Sequence, residues 1–417
     1  MERAILEIAE YETLQYSLLN SSVHEACIML KRLPYIMALS ALLTLAIAQY
    51  CRLLPLLSGN AHANSAGLID FIEYWSAFKV WMAGGDIYSA RDMLAAQTLI
   101  SPRAQPLMMW NPPWTLLLLG PVISLSPFFM AGILWALLSI GTYVYAAVLI
   151  SKAFDNKIHL LGWILTLSFP PLLSSLILGQ LAALLLFGTS LCIYGFIKKS
   201  KPSLFIGLCI ISIKPHLLFL FVILMVFNLI RLKDWSRLLV FPAAACFCLT
   251  LAWMANPLGL VKWANIISGS INVEGATNPN QWIGANLPSM VRYLLKDLMP
   301  DHSLALSSLP ILLALLALPA LLEISTRNLP LAVCLSIVIS LSCAPFGWFL
   351  DQTLLLPAFL FLFSLRHYAS SNILMLIAMI HFNYLAEFQH ALWWFAPATL
   401  AVLWHSARNV RFDAPTI

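Results

Sequence analysis

The stretch SLFIGLCIISIKPHLLFLFVILMVFNLI, residues 203–230, carries a single charged side chain, Lys214, among apolar neighbours. A helix needs roughly 20 apolar residues to cross a hydrocarbon layer of about 30 Å. The stretch is therefore long for one span, and Lys214-Pro215 falls in its middle. Proline disfavours helical geometry in the residue before it, which predicts two half-helices meeting at this step. Outward from here, apolar runs recur along most of the 417 residues. Apolar residues make up 61% of the chain and charged ones 10%, against about a quarter charged in soluble domains; the mean hydropathy is +0.86. This composition excludes a cytosolic enzyme, a secreted disulfide scaffold and a disordered chain. It leaves an all-α polytopic membrane protein. The net charge of +5 suits basic cytoplasmic loops better than a nucleic-acid surface. The eight cysteines form no CxxC pair and read as small buried hydrophobes.

Charge sets the expected orientation. Residues 1–32 end in Lys31 and Arg32 and read as a cytoplasmic segment, with a first span from Leu33 to Leu54. Ala61-His62-Ala63 resembles a signal-cleavage box, but the apolar run before it is too long and too far from the start, so the span is expected to stay uncleaved. Basic breaks at Lys198 to Lys201, Arg231 to Arg237, Arg327, Arg366, and Arg408 with Arg411 fit the cytoplasmic side. The alternate breaks then face outward: Pro55 to Asn111, Asn256 to Ser303, Phe346 to Gln352, and Glu387 to His390. The expected architecture is a bundle of about 10–12 transmembrane helices. One transmembrane domain covers residues 33–405, with long outer loops at about 55–112 and 256–303, and 406–417 forms a cytoplasmic tail. Trp114 to Ile150 reads either as two short helices split at Ser126-Pro127 or as an interfacial helix followed by one span. No internal repeat is evident.

Ionisable groups within a membrane are costly and therefore informative. Lys214 either snorkels to an interface or presents a cation to a buried anion at the helix break, with His216 nearby. Gly179-Gln180 interrupts two apolar halves eight residues after Pro170-Pro171; its glycine permits close backbone approach, and its glutamine supplies a donor and an acceptor, in a ligand site or a helix cap. The first outer loop carries Asp70, Glu73, Asp86, Asp92 and Arg103 among Tyr74, Trp75, Trp81 and Tyr88. Asp70-Phe-Ile-Glu-Tyr-Trp reads as the start of an amphipathic helix along the membrane, with Asp70 and Glu73 on one face. A solvated loop with an aromatic belt is the plain alternative.

These segments, in this order, resemble glycosyltransferase family 87, membrane enzymes of the GT-C class. The resemblance rests on Asp70 with Tyr74-Trp75, Gly84-Gly85-Asp86 with Tyr88, and Pro112-Pro113 with Pro121 and Trp135. It continues through Phe169-Pro170-Pro171 with Gly179-Gln180 and Gly207 with Ile213-Lys214-Pro215. It covers Leu68 to Phe227 well, and beyond that only looser features such as Pro345-Phe-Gly-Trp348 remain. Near Trp348, where members of the family tend to carry histidine, this chain has Asp351-Gln352.

The resemblance implies a GT-C-like bundle whose outer loops carry interfacial helices, in the cell inner or plasma membrane. It implies transfer of a mannose- or arabinofuranose-like sugar from a polyprenyl-phosphate donor to a glycolipid or glycan hydroxyl outside the cytoplasm, with inversion. Asp70 matches the first-loop aspartate and is the expected base. Lys214, with His216 and Gln180, is expected at the donor phosphate. Glu73, Tyr74, Trp75, Asp86, Tyr88, Trp348 and Asp351 are weaker candidates for substrate contact. No cofactor is expected. A divalent metal on the loosely spaced Asp70, Glu73 and Asp86 is the disfavoured option. Two other classes stay open at this point: a secondary transporter or lipid-linked sugar flippase, and a non-catalytic subunit of an envelope-assembly complex.

Overall fold

The computed structural model describes residues 68–123, 127–268, 284–295, 308–365, 373–378 and 392–408, together with Ile47, Leu298, Leu306, Ile380 and His381. The expected first span, the termini and the Glu387 to His390 break lie outside the described residues, apart from helical Ile47. Every regular element among the described residues is helical. Among the described residues, three helices are long and apolar enough to cross a membrane: Phe128–Ala153, Trp235–Ala255 and Leu309–Arg327. Shorter apolar helices accompany them, including Ala182–Ile197, Lys201–Ile211, Leu329–Cys343 and Phe349–Ser364. The chain is an all-α polytopic membrane protein.

The shorter helices have local causes. Lys214 is non-helical at φ −134°, ψ 68°, and Pro215 opens a 3-10 turn, Pro215–Leu218, before the Phe219–Arg231 helix. The chain therefore turns at the step where proline was expected to break it. The Pro170–Leu178 helix ends at Gly179, whose φ of +74° is left-handed, and Ala182–Ile197 follows. A left-handed residue closes a helix while its amide satisfies an orphan carbonyl. The Trp114 to Ile150 region resolves into a short helix, Trp114–Ile123, and one long span, Phe128–Ala153.

The turns fall into two groups at opposite ends of the helices. At one end, Lys198 pairs with Asp155, Arg237 donates to the Phe196 carbonyl, and Arg231 donates to the Leu322 carbonyl and Ser325. At the other, Trp81 donates to the Ala255 carbonyl, Lys262 pairs with Asp86, and Trp263 donates to the Trp110 carbonyl. Ala285 N–H donates to the Gly347 carbonyl, and Arg292 to that of Pro345, drawing two distant breaks together at that same end. Three of the four breaks grouped together by charge, Pro55 to Asn111, Asn256 to Ser303 and Phe346 to Gln352, are thus joined by contacts among their described residues.

Candidate active site

The Ile69–Met82 helix builds one wall of the site. It is buried round most of its circumference, at Phe71, Ile72, Glu73, Tyr74, Ala77, Phe78 and Val80, rather than along one stripe as a membrane-surface helix would be. Phe71 stacks on Trp135 with ring centroids 5.5 Å apart, and Trp135 Nε1 donates to the Gly179 carbonyl at 2.9 Å. Leu68 N–H donates to the Ile177 carbonyl at 2.7 Å. A Cβ on Gly179 would lie 2.7 Å from the Phe71 Cβ and 3.0 Å from Leu68 Cδ2. Only glycine accommodates both the left-handed backbone and this approach. The close approach brings the first turn of the helix against Gln180.

Gln180 uses both ends of its amide. Its Oε1 accepts from the Tyr74 hydroxyl at 3.0 Å, and its Nε2 donates to Asp70 Oδ2 at 2.8 Å. An amide held by its oxygen presents its NH2 to the carboxylate, so Gln180 acts here as an orienting group for Asp70. It lines a cavity of about 300 Å³ with Glu73, Tyr74, Trp110, Asn111, Lys214, His216, Trp263, Phe346, Trp348 and Asp351. Asp70 does not itself line this cavity; it is joined to the wall through Gln180. Its helix is not one of the spans. Burial pushes the Asp70 carboxyl above the usual aspartate range, while the Gln180 bond and the charges of Lys214 and Arg103 pull it down. Glu73 is pushed well up, by burial first and by Asp70 second. It accepts from Trp110 N–H at 3.4 Å. Burial raises both carboxyls of this helix face, Glu73 the more strongly.

The opposite wall carries the cation. Lys214 Nζ lies 2.8 Å from Asp351 Oδ1, with the lysine side chain 14% exposed and the aspartate 2%. The second oxygen, Asp351 Oδ2, accepts from Trp348 N–H at 3.0 Å. Asp351 is thus fixed to the backbone and Lys214 reaches it from the helix break. His216 lines the cavity edge-on to Phe346, with ring centroids 6.4 Å apart. The pairing of Lys214 with Asp351 was not legible in the sequence, since 137 positions separate them.

Of the residues singled out from sequence, Glu73, Tyr74, Gln180, Lys214, His216, Trp348 and Asp351 share the cavity wall, with Asp70 adjoining. The other three lie outside it. Trp75 packs edge-on against Phe128, with Lys79 over its ring at 5.2 Å. Asp86 pairs with Lys262 at 2.7 Å and accepts from Tyr88 N–H. The Tyr88 hydroxyl bonds the Asn111 carbonyl, steadying a turn that does line the cavity. Sequence reading did not single out Trp263, which sits in Gly259–Ile267, whose strongly one-sided apolar pattern was the available signal. Among the described residues no group of three histidine, cysteine or acidic side chains is placed to hold a metal ion.

No curated protein matches the chain, and no solved structure does. A family model does match, glycosyltransferase family 87, over residues 110–350. The match begins later than the motifs suggested and runs further, past Trp348. It takes in Gly179-Gln180 and Lys214-Pro215, and leaves Asp70 and Asp351 beyond its ends. It covers more than half of the 417 residues, and with the apolar spans it identifies the chain as a member of glycosyltransferase family 87, a membrane glycosyltransferase.

Proposed function

We propose that the chain moves a mannose- or arabinofuranose-like sugar from a polyprenyl-phosphate donor to a hydroxyl of a glycolipid or glycan, on the extracytoplasmic face, with inversion. The observation that carries this reading is one cavity holding a lysine on its wall, with an oriented carboxylate joined to that wall through Gln180. In the step, Asp70 takes the proton of the acceptor hydroxyl as that oxygen bonds the anomeric carbon. The bond from that carbon to the phosphate oxygen breaks, and the electron pair leaves with the polyprenyl phosphate. Negative charge gathers on the leaving phosphate, where Lys214 stabilises it, with His216 on the same wall. Gln180 holds Asp70 in place rather than touching phosphate. The aromatic walls at Trp110, Trp263, Phe346 and Trp348 give the sugar ring and the first isoprene units an apolar surface.

Family membership favours transfer over the transporter or flippase alternative, and the paired wall residues favour catalysis over a purely structural subunit. The extracytoplasmic assignment is supported by charge, because the cavity lies at the end of the bundle away from the lysine- and arginine-rich turns. No part of the proposed step calls on a metal or a nucleotide.

The test is transfer of labelled sugar by purified protein from a panel of polyprenyl-phosphate sugars onto a native glycolipid extract. Label is expected on the acceptor from at least one donor, and Asp70→Asn is expected to lower the rate at least about a hundredfold while the protein stays folded. An active Asp70→Asn enzyme removes the base; transfer from no donor removes the donor class.

A further inference from the structure

We propose that Asp351 is a positioning residue that occupies Lys214 between turnovers and drives off the phosphate product. This inference rests on the donor-phosphate role given to Lys214 above. Three observations support it. First, the pair is made inside the cavity: both residues line it, and Lys214 Nζ meets Asp351 Oδ1 at 2.8 Å. The amine that would receive a phosphate already has an anionic partner. Second, the two partners are unequally held. Asp351 is 2% exposed, sits in the Phe349–Leu355 turn, and spends its other oxygen on Trp348 N–H. Lys214 is a long side chain on a non-helical residue between two helices, and so is the partner that can swing. Third, the turn carrying Asp351 is clamped from behind. Arg292 donates to the Pro345 carbonyl at 3.1 Å, and Gln352 Nε2 donates to the Ala285 carbonyl at 2.7 Å. The carboxylate therefore stays where it is when a ligand arrives.

The consequence follows from counting charge. With the pair intact, Lys214 and Asp351 sum to zero. A donor phosphodiester brings one negative charge; the product, a phosphate monoester, brings close to two at neutral pH. A fixed carboxylate a few ångströms away repels the product about twice as strongly as the donor. Asp351 thus leaves entry tolerable and makes departure easier, with Lys214 passing from phosphate back to carboxylate. Removing the carboxyl charge is expected to tighten the product more than the donor. The price is slower release.

The experiment measures polyprenyl phosphate as product inhibitor of the full-length protein, alongside kcat and KM for the donor, in wild type, Asp351→Asn and Asp351→Ser. Serine keeps an oxygen for Trp348 N–H, so a folding defect specific to asparagine leaves the second variant to read. Both are expected to lower the inhibition constant of polyprenyl phosphate about tenfold, to lower donor KM by less, and to lower kcat. A merely structural role predicts the opposite sign, with weaker binding of donor and product together as Lys214 loses its anchor. An unchanged or raised inhibition constant in an active variant overturns the proposal and leaves the transfer reading intact. Absence of transfer by the wild type overturns the transfer reading instead, and this inference with it.

Discussion

At the residue scale, the proposed chemistry depends on two carboxyls one helical turn apart that have been given different surroundings. Glu73 has burial and the Asp70 carboxyl against its charged form, with Trp110 N–H and Lys214 in its favour; Asp70 has burial and Asp351 against it, with the Gln180 amide, Lys214 and Arg103 in its favour. Asp70, with a side-chain amide donating to it, is the proposed base. Its folded-state pKa is raised above 3.8, so kcat/KM is expected to fall as pH drops through that raised value, with an acid limb above the range of a free aspartate. Gln180→Ala deletes the bond that favours the charged carboxylate, and this fixes the sign: the acid limb moves to higher pH. A pH–rate profile of the variant checks it. A limb that stays in place, or moves down, means that Asp70 is not the group being titrated.

At the element scale, the site is made by helices that stop. Lys214 enters the cavity because Pro215 ends one helix and a 3-10 turn starts the next, and Gln180 enters it because Gly179 turns left-handed. Both breaks were legible in the sequence, since proline and glycine impose local geometry wherever they stand. What lies across the cavity was not. Asp351 for Lys214, Lys262 for Asp86 and Arg292 for the Pro345 carbonyl are all chosen by how distant segments pack. The burial of the Ile69–Met82 helix was also hidden, because Asp70, Glu73 and Lys79 make it look like a surface helix, whereas Glu73 and Tyr74 are buried against the cavity. Gly179 gives the sharpest test at this scale. Alanine there meets left-handed strain of roughly 1–2 kcal/mol, and its Cβ would lie 2.7 Å from the Phe71 Cβ, which adds overpacking of about 1–3 kcal/mol. Gly179→Ala is expected to lower thermal stability in detergent and to cut kcat as well, because relief of the clash moves Phe71 and, with it, Asp70. Wild-type stability and rate would show that the close approach is not needed.

At the scale of the whole molecule, the argument is about sides. Three helices run between the cavity end and the basic end: Ala182–Ile197 from Gln180 to the Lys198–Asp155 pair, Phe219–Arg231 from Lys214 to Arg231, and Val240–Ala255 from Arg237 back to the carbonyl that accepts from Trp81. Lys198, Lys199 and Lys201 crowd one turn, and Arg231, Lys233 and Arg237 the neighbouring one. Lysine and arginine near span ends hold a loop in the cytoplasm, whereas the cavity end mixes both signs in Asp70, Asp86, Lys262 and Asp351. That asymmetry predicts which end a membrane-impermeant maleimide reaches in intact cells. Thr98→Cys, exposed beyond the cavity end, is expected to be labelled from outside, and Lys199→Cys, exposed at the basic end, only after the membrane is opened. The unsubstituted protein supplies the background from its own cysteines. The reverse pattern would put Lys214 and Asp70 on the cytoplasmic face, and the proposed donor would then have to present its sugar there, beside neither of the two basic turns.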